Sequence, residues 1–291
     1  MCRIRITLAA VAAAAAVTAC SGTAAPRAVP ASYYVALGDS LAQGVQPDAA
    51  GVSVETGQGY ANQVYTALRP GHPGLRLVKL GCPGETTTSM LGGGICRYPG
   101  GSQLADAVAF LRAHQGHVSL VTIDIGANDP EDCGSQHNLI TIAACFGADV
   151  PGAVTNLGTI MTRLRSAAGA GVRIVGMSYY LPALAEWRDG TPGEAIAWLT
   201  ERLIASYNNL LDGVYARYGA RVANVFGAFD TSDFGNTVTV PGIGTLPRNV
   251  ARICQWTWEC APPPRGPNQH ADQAGYAVIA RQFLSAAGPI S

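Results

Sequence analysis

The strongest constraint on the fold is an alternation of short apolar runs and helical patterns that continues through most of the chain. The clearest run, Val118 to Ile125, is nearly all apolar, as in a strand covered on both faces. Further strands are predicted at residues 33–37, 75–80, 172–177 and 221–225, and helices at residues 60–68, 102–113, 154–167, 194–218 and 274–286. This alternation predicts an α/β three-layer sandwich, a five-stranded parallel sheet with helices on both faces. Residues 231–267, rich in Gly, Pro and Trp, break the rhythm and predict a long loop insertion.

Composition narrows the class of protein further. The chain has 291 residues, and residues 32–291 fit one large α/β domain without a second domain. Its 19 basic and 19 acidic residues cancel, which argues against a nucleic-acid partner because such proteins usually carry a basic surplus. A hydrophobic content of 48% excludes intrinsic disorder.

The N-terminus is typical of an export signal. Residues 1–19 combine Arg3 and Arg5 with an apolar stretch too short to span a bilayer, and therefore predict a signal peptide. Val-Thr-Ala-Cys-Ser at residues 17–21 resembles a bacterial lipobox, which predicts cleavage before Cys20 and a lipid on its thiol. Residues 20–31 would then tether the domain to the outer face of the cell membrane. The alternative is an ordinary secretory signal that is cut near Ala25 and leaves a secreted protein.

The cysteine count agrees with export. Six cysteines remain beyond the signal and Cys20, and an even number in an exported domain predicts three disulfides, although 15 pairings are possible. The cysteines lie in three local pairs along the chain, so the simplest pairing is Cys82–Cys96, Cys133–Cys145 and Cys254–Cys260. A metal site is the alternative, but the chain has no CxxC spacing and no histidine clustered with the cysteines, so we expect no metal.

Polar blocks follow several of the predicted strands, where the ligands of a parallel sheet bind. These blocks are Gly-Asp-Ser-Leu at residues 38–41, Gly-Cys-Pro-Gly-Glu-Thr at 81–86, Gly-Ala-Asn-Asp at 126–129, and Asn-Gln-His at 268–270 before an Ala-Gly-Tyr helix start. In this order they resemble the SGNH, or GDSL, hydrolase family, and in particular its exported actinobacterial esterases and lipases. The resemblance covers nearly the whole mature chain and implies the flavodoxin-like fold of that family.

The resemblance implies a role for each block. Ser40 would be the nucleophile, and His270 would be the base that takes its proton and returns it to the leaving alcohol. The oxyanion hole would combine the backbone N–H groups of Ser40 and Gly84 with the side chain of Asn128. His137 is a weaker second candidate for the base. Helix capping is the alternative for Ser40, and a turn or a cap is the alternative for Gly84 and Asn128.

Two aspartates in these blocks are expected to have structural roles. Asp39 and Asp129 are adjacent to Ser40 and Asn128, respectively. We expect both side chains to brace their loops by accepting backbone N–H groups rather than to react.

One departure from the family pattern concerns the acid of the triad. Family members usually carry an aspartate two or three residues before the histidine, but this chain has Asn268 and Pro267 there. The Asn268 side-chain oxygen or the Pro267 carbonyl could orient the imidazole of His270, without supplying a negative charge. An acid from elsewhere, such as Asp230 or Asp233, is a third option.

The sequence therefore predicts an exported serine esterase that acts through an acyl-enzyme on Ser40, without cofactor or metal. Its substrate would be a small-molecule, lipid or glycan ester, and we expect a monomer. Residues 256–258, Trp-Thr-Trp, could line the site as an aromatic wall or could simply pack beneath a disulfide loop. The alternative function is a cell-surface binding protein that keeps the fold but has weakened catalysis, because the aspartate is missing.

Overall fold

The apolar runs of the sequence form the central sheet. The structure, a computed structural model, describes residues 31–130, 133, 136 and 138–290, so the predicted signal peptide, Cys20 and His137 lie outside the described residues. The strands are β1 (Ser32–Gly38), β2 (Gln46–Pro47), β3 (Ser53–Val54), β4 (Leu75–Lys79), β5 (Val118–Asp124), β6 (Arg173–Ser178), β7 (Arg221–Asn224), β8 (Thr237–Val240) and β9 (Gly244–Pro247). The main sheet has the order β4-β1-β5-β6-β7, with every neighbouring pair parallel. All seven residues of β5 are buried, as its apolar run predicts.

Helices cover the sheet on both faces, which confirms the predicted three-layer sandwich. They are α1 (Ser40–Gln43), α2 (Tyr60–Leu68), α3 (Thr87–Gly92), α4 (Gln103–Ala113), α5 (Leu139–Ala168), α6 (Thr191–Arg217), α7 (Val225–Ala228), α8 (Arg248–Trp256) and α9 (Gln273–Ala287), with a 3-10 helix at Pro182–Asp189. One layer pairs α2 with α9, and the other packs α5 between α4 and α6. The core between the layers is apolar and includes Tyr34, Val35 and Leu37 of β1, none of which is exposed.

The strand order determines where a ligand can bind. The chain continues from β1 to β4 on one side and later adds β5 on the other side of β1. A crevice forms at such a switch point, outside the carboxyl ends of the two strands. The block that contains Ser40 follows β1, and the block that contains Asn128 follows β5, so the fold brings these two blocks to the same crevice.

Two predicted elements differ from the structure. Residues 231–267 are not one long loop, because they contain the β8–β9 hairpin and α8. The α8 helix buries Val250 and Ile253, whose spacing is helical but too short to stand out in a segment rich in Gly and Pro.

The helix predicted at 154–167 begins fifteen residues earlier, at Leu139. Pro151 lies inside α5, where a missing N–H and ring crowding usually end a helix. The first turns are stabilised by other means, because Asn138 caps the helix and a small cluster of Cys133, Ile142 and Phe146 packs against α6. By length and composition alone α5 could cross a membrane; 17% of its apolar window is buried in the domain, where the helix contacts α3, α4 and α6.

Candidate active site

The Ser40 turn connects β1 to α1 at the carboxyl edge of the sheet. Ser40 is the first residue of α1 and is only 8% exposed. Gly38 has a φ of +128°, and a Cβ at this position would lie 2.1 Å from the carbonyl oxygen of Asp124, so only glycine fits. The turn is therefore packed tightly against the end of β5.

Internal acceptors hold the backbone N–H groups that flank Ser40. Four of these N–H groups donate to a nearby oxygen: Gly38 N–H to Gln103 Oε1 (2.7 Å), Asp39 N–H to Asp124 O (3.1 Å), Leu41 N–H to Asp39 Oδ1 (2.9 Å) and Ala42 N–H to Asp124 Oδ2 (3.1 Å). No described residue accepts the N–H of Ser40 itself. This N–H is thus the one donor of the turn that is left for a ligand, as an oxyanion hole requires.

Asn128 supplies a second donor beside this turn. One N–H of its amide donates to the carbonyl of Glu85 at 2.9 Å, which links the block after β5 to the block after β4. An amide carries two N–H groups, so the other remains for the cavity that Asn128 lines. Gly84 precedes Glu85 with a φ of +80°. None of the described residues accepts its N–H, but Gly84 is not part of the cavity wall.

Asn268 holds His270 in position. The Nδ1 atom of His270 lies 2.8 Å from Asn268 Oδ1, and the backbone N–H of His270 donates to the same oxygen at 3.1 Å. A backbone N–H can only donate, so the shared atom is the oxygen, and the amide nitrogen faces Ser53 Oγ at 3.1 Å. Nδ1 must then carry the proton, which leaves Nε2 as the basic nitrogen.

Among the groups considered for orienting His270, Asn268 is the one that contacts the imidazole in this structure. The Nδ1 atom is held by Asn268 rather than by the Pro267 carbonyl. Both distant acids are paired elsewhere, Asp230 with Arg252 at 3.1 Å and Asp233 with Arg248 at 3.0 Å.

Burial lowers the pKa of His270 from 6.5 to about 4, because the imidazolium would lose its water.

Ser40 and His270 line one cavity of about 150 Å³, together with Asn128. Its further wall is largely apolar and comes from α5, α6 and the segment after β6, with Phe146, Leu181, Pro182, Ala183 and Ile204. Trp256 and Trp258 are absent from the described lining. Trp256 packs edge-on against Phe229 at 5.1 Å, and Trp258 donates through Nε1 to Gln46 at 3.3 Å, so of the two alternatives for this segment the structure shows packing rather than an aromatic wall.

Three disulfides join the local cysteine pairs expected from the sequence: Cys82–Cys96, Cys133–Cys145 and Cys254–Cys260. The first fixes the block after β4, the second fixes the start of α5, and the third ties α8 to the segment that leads to His270. Asp149 lies close to one pair, but both sulfurs of that pair are bonded to each other and so do not act as thiolate ligands.

The two aspartates that follow Gly38 and Asn128 brace their loops, as expected from the sequence. Asp39 accepts the N–H of Leu41. Asp129 accepts the N–H of Thr87 at 2.9 Å and its hydroxyl at 2.5 Å, which fixes the start of α3. Sequence reasoning missed Asp124, whose carboxyl lies directly beneath the Ser40 turn. The only available signal was a charged residue in an otherwise apolar strand.

A doubly wound sheet with a serine and a histidine facing one cavity at its carboxyl edge is the architecture of a class of ester hydrolases. The chain belongs to the GDSL-like lipase/acylhydrolase family, whose model matches residues 36–240. A search of the curated proteins finds no match.

Solved structures of esterases and lipases share the fold. An extracellular lipase from Streptomyces rimosus is 18% identical, with a TM-score of 0.59, and the match covers 89% of this chain and 100% of that one. A phospholipase A1 from Streptomyces albidoflavus, also 18% identical, has a TM-score of 0.55 with the same coverages of 89% and 100%. An acetylxylan esterase from Geobacillus stearothermophilus is 17% identical, with a TM-score of 0.55 and coverages of 90% and 96%.

Proposed function

We propose that the protein is an exported serine esterase that hydrolyses carboxylic esters through an acyl-enzyme on Ser40, with His270 as the base. The observation that carries this proposal is the hydrogen bond from His270 Nδ1–H to Asn268, in a cavity that Ser40 also lines. That bond fixes the tautomer in which Nε2 can accept a proton. Asn268 takes the orienting role, and the site is a Ser–His dyad supported by a neutral amide.

The reaction proceeds in two halves. The Ser40 hydroxyl attacks the ester carbonyl carbon while its proton moves to His270 Nε2, and the carbonyl oxygen becomes an oxyanion. Two donors from residues that line the cavity stabilise this oxyanion, the N–H of Ser40 and the free amide N–H of Asn128, and the N–H of Gly84 is the third donor that the family pattern implies. The C–O bond then breaks, and the alcohol leaves with the proton from His270. Water attacks the acyl-enzyme by the same route and releases the acid and free Ser40. These groups require no metal or cofactor.

The cavity favours a compact acyl group. A largely apolar volume of about 150 Å³ suits a ligand of about six non-hydrogen atoms, since an apolar cavity of this size binds benzene. The proposed substrates are therefore esters of short aliphatic or small aromatic acids. The alcohol can belong to a small molecule, a lipid or a glycan. Proteins that share the fold include both a phospholipase A1 and an acetylxylan esterase, so the fold alone does not select the alcohol.

The proposed organisation has three parts: a signal peptide at 1–19, a lipidated Cys20 with a tether to residue 31, and one hydrolase domain at 32–291. In support, the chain from Ala31 onward is one compact unit. Three disulfides also suit an oxidising compartment outside the cytoplasm. We propose a monomer that is anchored to the outer face of the cell membrane, or secreted where Cys20 carries no lipid.

A second candidate function has one observation in its favour. The pKa of His270, lowered by burial to about 4, makes it a weak base, and no carboxylate contacts it among the described residues. A protein of this kind could bind esters on the cell surface and turn them over very slowly. The two functions differ in whether Ser40 is nucleophilic.

A series of para-nitrophenyl esters from acetyl to dodecanoyl, assayed on the purified mature domain, tests the proposal. We expect turnover that falls once the acyl chain outgrows the cavity, and loss of turnover in Ser40→Ala with unchanged melting behaviour. Ser206→Ala, an exposed serine on α6, is the matched control. A fluorophosphonate probe should label the wild type and not Ser40→Ala. Residual activity of Ser40→Ala above about a tenth of wild type would overturn the assignment of the nucleophile, and a wild type that resists labelling would favour the binding protein.

A further inference from the structure

A buried carboxyl lies directly behind the Ser40 turn and has no part in the reaction described above. Asp124 is the last residue of β5 and is fully buried. Its Oδ1 accepts the hydroxyl of Tyr60 at 2.5 Å, and its Oδ2 accepts the N–H of Ala42 at 3.1 Å. Its backbone carbonyl accepts the N–H of Asp39. A single residue therefore holds the turn on both sides of Ser40.

A second buried carboxyl lies in contact with the first. Asp39 is 1% exposed, its backbone N–H donates to the Asp124 carbonyl, and the two carboxyls accept the adjacent N–H groups of Leu41 and Ala42. Like charges held side by side in a buried site disfavour each other, which favours a proton on one of the two carboxyls. Burial raises the pKa of Asp124, and the adjacent charge of Asp39 raises it further.

We propose that Asp39 and Asp124 share one proton, and that this acid pair is a positioning element which aims the Ser40 N–H at the oxyanion. The inference rests on the proposed function of Ser40. The shared proton lets both carboxyls stay buried in contact, so that their oxygens can hold the N–H groups of Leu41 and Ala42. With its neighbours fixed, the Ser40 N–H is left to the ligand.

The other titratable groups around Asp124 do not bring a further charge to it. The titratable groups that face Asp124 from the packed elements are tyrosines of β1, α2, α6, α9 and the segment after β6: Tyr34, Tyr60, Tyr179, Tyr180, Tyr215 and Tyr276. Burial raises the pKa of each, so all of them keep their protons at neutral pH. Of these, Tyr60 donates its hydroxyl hydrogen bond to Asp124, and none of the six adds a charge to the pair.

The position of Asp124 predicts which kinetic constant it affects. Asp124 is not part of the described cavity wall, so its loss should leave substrate binding nearly intact. A turn that moves by about 1 Å misaligns the nucleophile and the oxyanion donor, which typically costs about 10²-fold in rate. We therefore expect Asp124→Ala to lower kcat about a hundredfold while KM changes by less than about threefold.

Asp124→Asn is the conservative variant, because an amide N–H can replace the shared proton while the amide oxygen keeps one of the two acceptor roles. It should restore most of the loss and retain at least about a tenth of wild-type kcat. If Asp124→Asn folds but is as inactive as Asp124→Ala, a charge rather than a shared proton is required at this position, and the proposal is wrong.

Proton linkage gives a test that does not depend on activity or on the folding of Asp124→Ala. Above about pH 5, where an unfolded aspartate has released its proton, folding of the wild type would take up one proton. Its unfolding constant, measured in urea, should therefore rise about tenfold per pH unit relative to that of Asp124→Asn, or about 1.4 kcal/mol. Equal pH slopes for the two proteins would overturn the shared proton.

The outcomes also separate this inference from the proposed function. An active Ser40→Ala variant would remove the nucleophile but would leave the linkage result standing. Conversely, equal pH slopes together with an inactive Ser40→Ala would refute only the acid pair.

Discussion

The sharpest prediction concerns Asn268→Asp, which adds a negative charge where most family members carry one. The substitution is nearly isosteric, and the backbone N–H of His270 would still donate to Oδ1. The Ser53 hydroxyl, which now accepts from the amide, can rotate to donate to the second carboxylate oxygen. Asn268 is also partly exposed, so the new charge keeps some of its hydration. The carboxylate should therefore occupy the amide position without rebuilding the loop.

The magnitude follows from the contact distance and the pKa of the base. A carboxylate in contact with an imidazole, here replacing an oxygen 2.8 Å from Nδ1, raises the imidazole pKa by about 1–3 units. Starting from about 4, His270 would then titrate between about 5 and 7. The corresponding stabilisation of the imidazolium is about 1.4–4 kcal/mol. Because the imidazolium forms only as Ser40 attacks, most of this energy lowers the barrier, and we expect kcat to rise about ten- to a hundredfold.

The assay is a pH–rate profile on a short para-nitrophenyl ester, from pH 3.5 to 9, for the wild type, Asn268→Asp and Asn268→Ala. The acid limb of kcat/KM should move to higher pH in Asn268→Asp, since that limb reports the base of the free enzyme. Asn268→Ala should lower kcat because the imidazole loses its orienting partner. Asn209→Asp, an exposed position on α6, adds the same charge far from the base and should leave the profile unchanged.

One result would refute the reasoning. If Asn268→Asp changes neither the rate nor the position of the acid limb, Asn268 does not contact the imidazole during catalysis. An unchanged rate in Asn268→Ala would pass the orienting role to the Pro267 carbonyl or to a distant acid. The dyad model would then be wrong even if Ser40 remained the nucleophile.

Three further predictions test other parts of the site and the chain. Asn128→Ala should lower kcat about 10²–10³-fold with little change in KM, because it removes one oxyanion donor, whereas a raised KM with an unchanged kcat would point to binding instead. His270→Gln should lose less stability than the wild type between pH 6.5 and 4, by up to about 3 kcal/mol. The reason is that only the wild type must keep a buried histidine neutral, whereas the unfolded histidine takes up a proton near pH 6.5. Urea unfolding at pH 7 and 4 measures this difference, and equal losses of stability in the two proteins would contradict the lowered pKa. Cys20→Ser should move the protein from the detergent phase to the aqueous phase or leave its precursor uncut, whereas a wholly soluble wild type that begins downstream of Cys20 would exclude the lipid.

The main sheet was predictable because burial on both faces leaves a direct mark on the sequence. A strand such as β5 has to be apolar along its whole length, and the helices that cover it repeat at 3.6 residues. The start of α5 was not predictable in this way. Pro151 and Gly152 look like the end of a helix, whereas the Asn138 cap, the disulfide at Cys145 and the packing of Phe146 against α6 stabilise the turns that begin at Leu139.

The polar blocks of the site were also visible in the sequence, but their interactions were not. Asn268 was one of three options for orienting His270, and only three-dimensional geometry shows its oxygen between the backbone N–H and Nδ1. Asp124 escaped notice because its partners, Tyr60 and Ala42, are distant in sequence and unremarkable as residue types. Long-range polar contacts of this kind carry no periodicity, so single-sequence patterns do not reveal them.

The choice of asparagine over aspartate beside His270 sets the pH range of the site as well as its strength. A base with a pKa of about 4 is roughly nine-tenths neutral at pH 5, whereas a base with a pKa of about 7 is only about one-hundredth neutral there. The wild type should therefore keep its activity in mildly acidic surroundings where Asn268→Asp loses most of its own, and the two profiles should cross. At neutral pH and above both bases are largely deprotonated, so the variant leads because it stabilises the imidazolium better. With a neutral partner, His270 gives a lower maximal rate but stays deprotonated, and therefore active as a base, at lower pH. A crossing of the two pH–rate profiles between about pH 4 and 6 is the measurement that checks this.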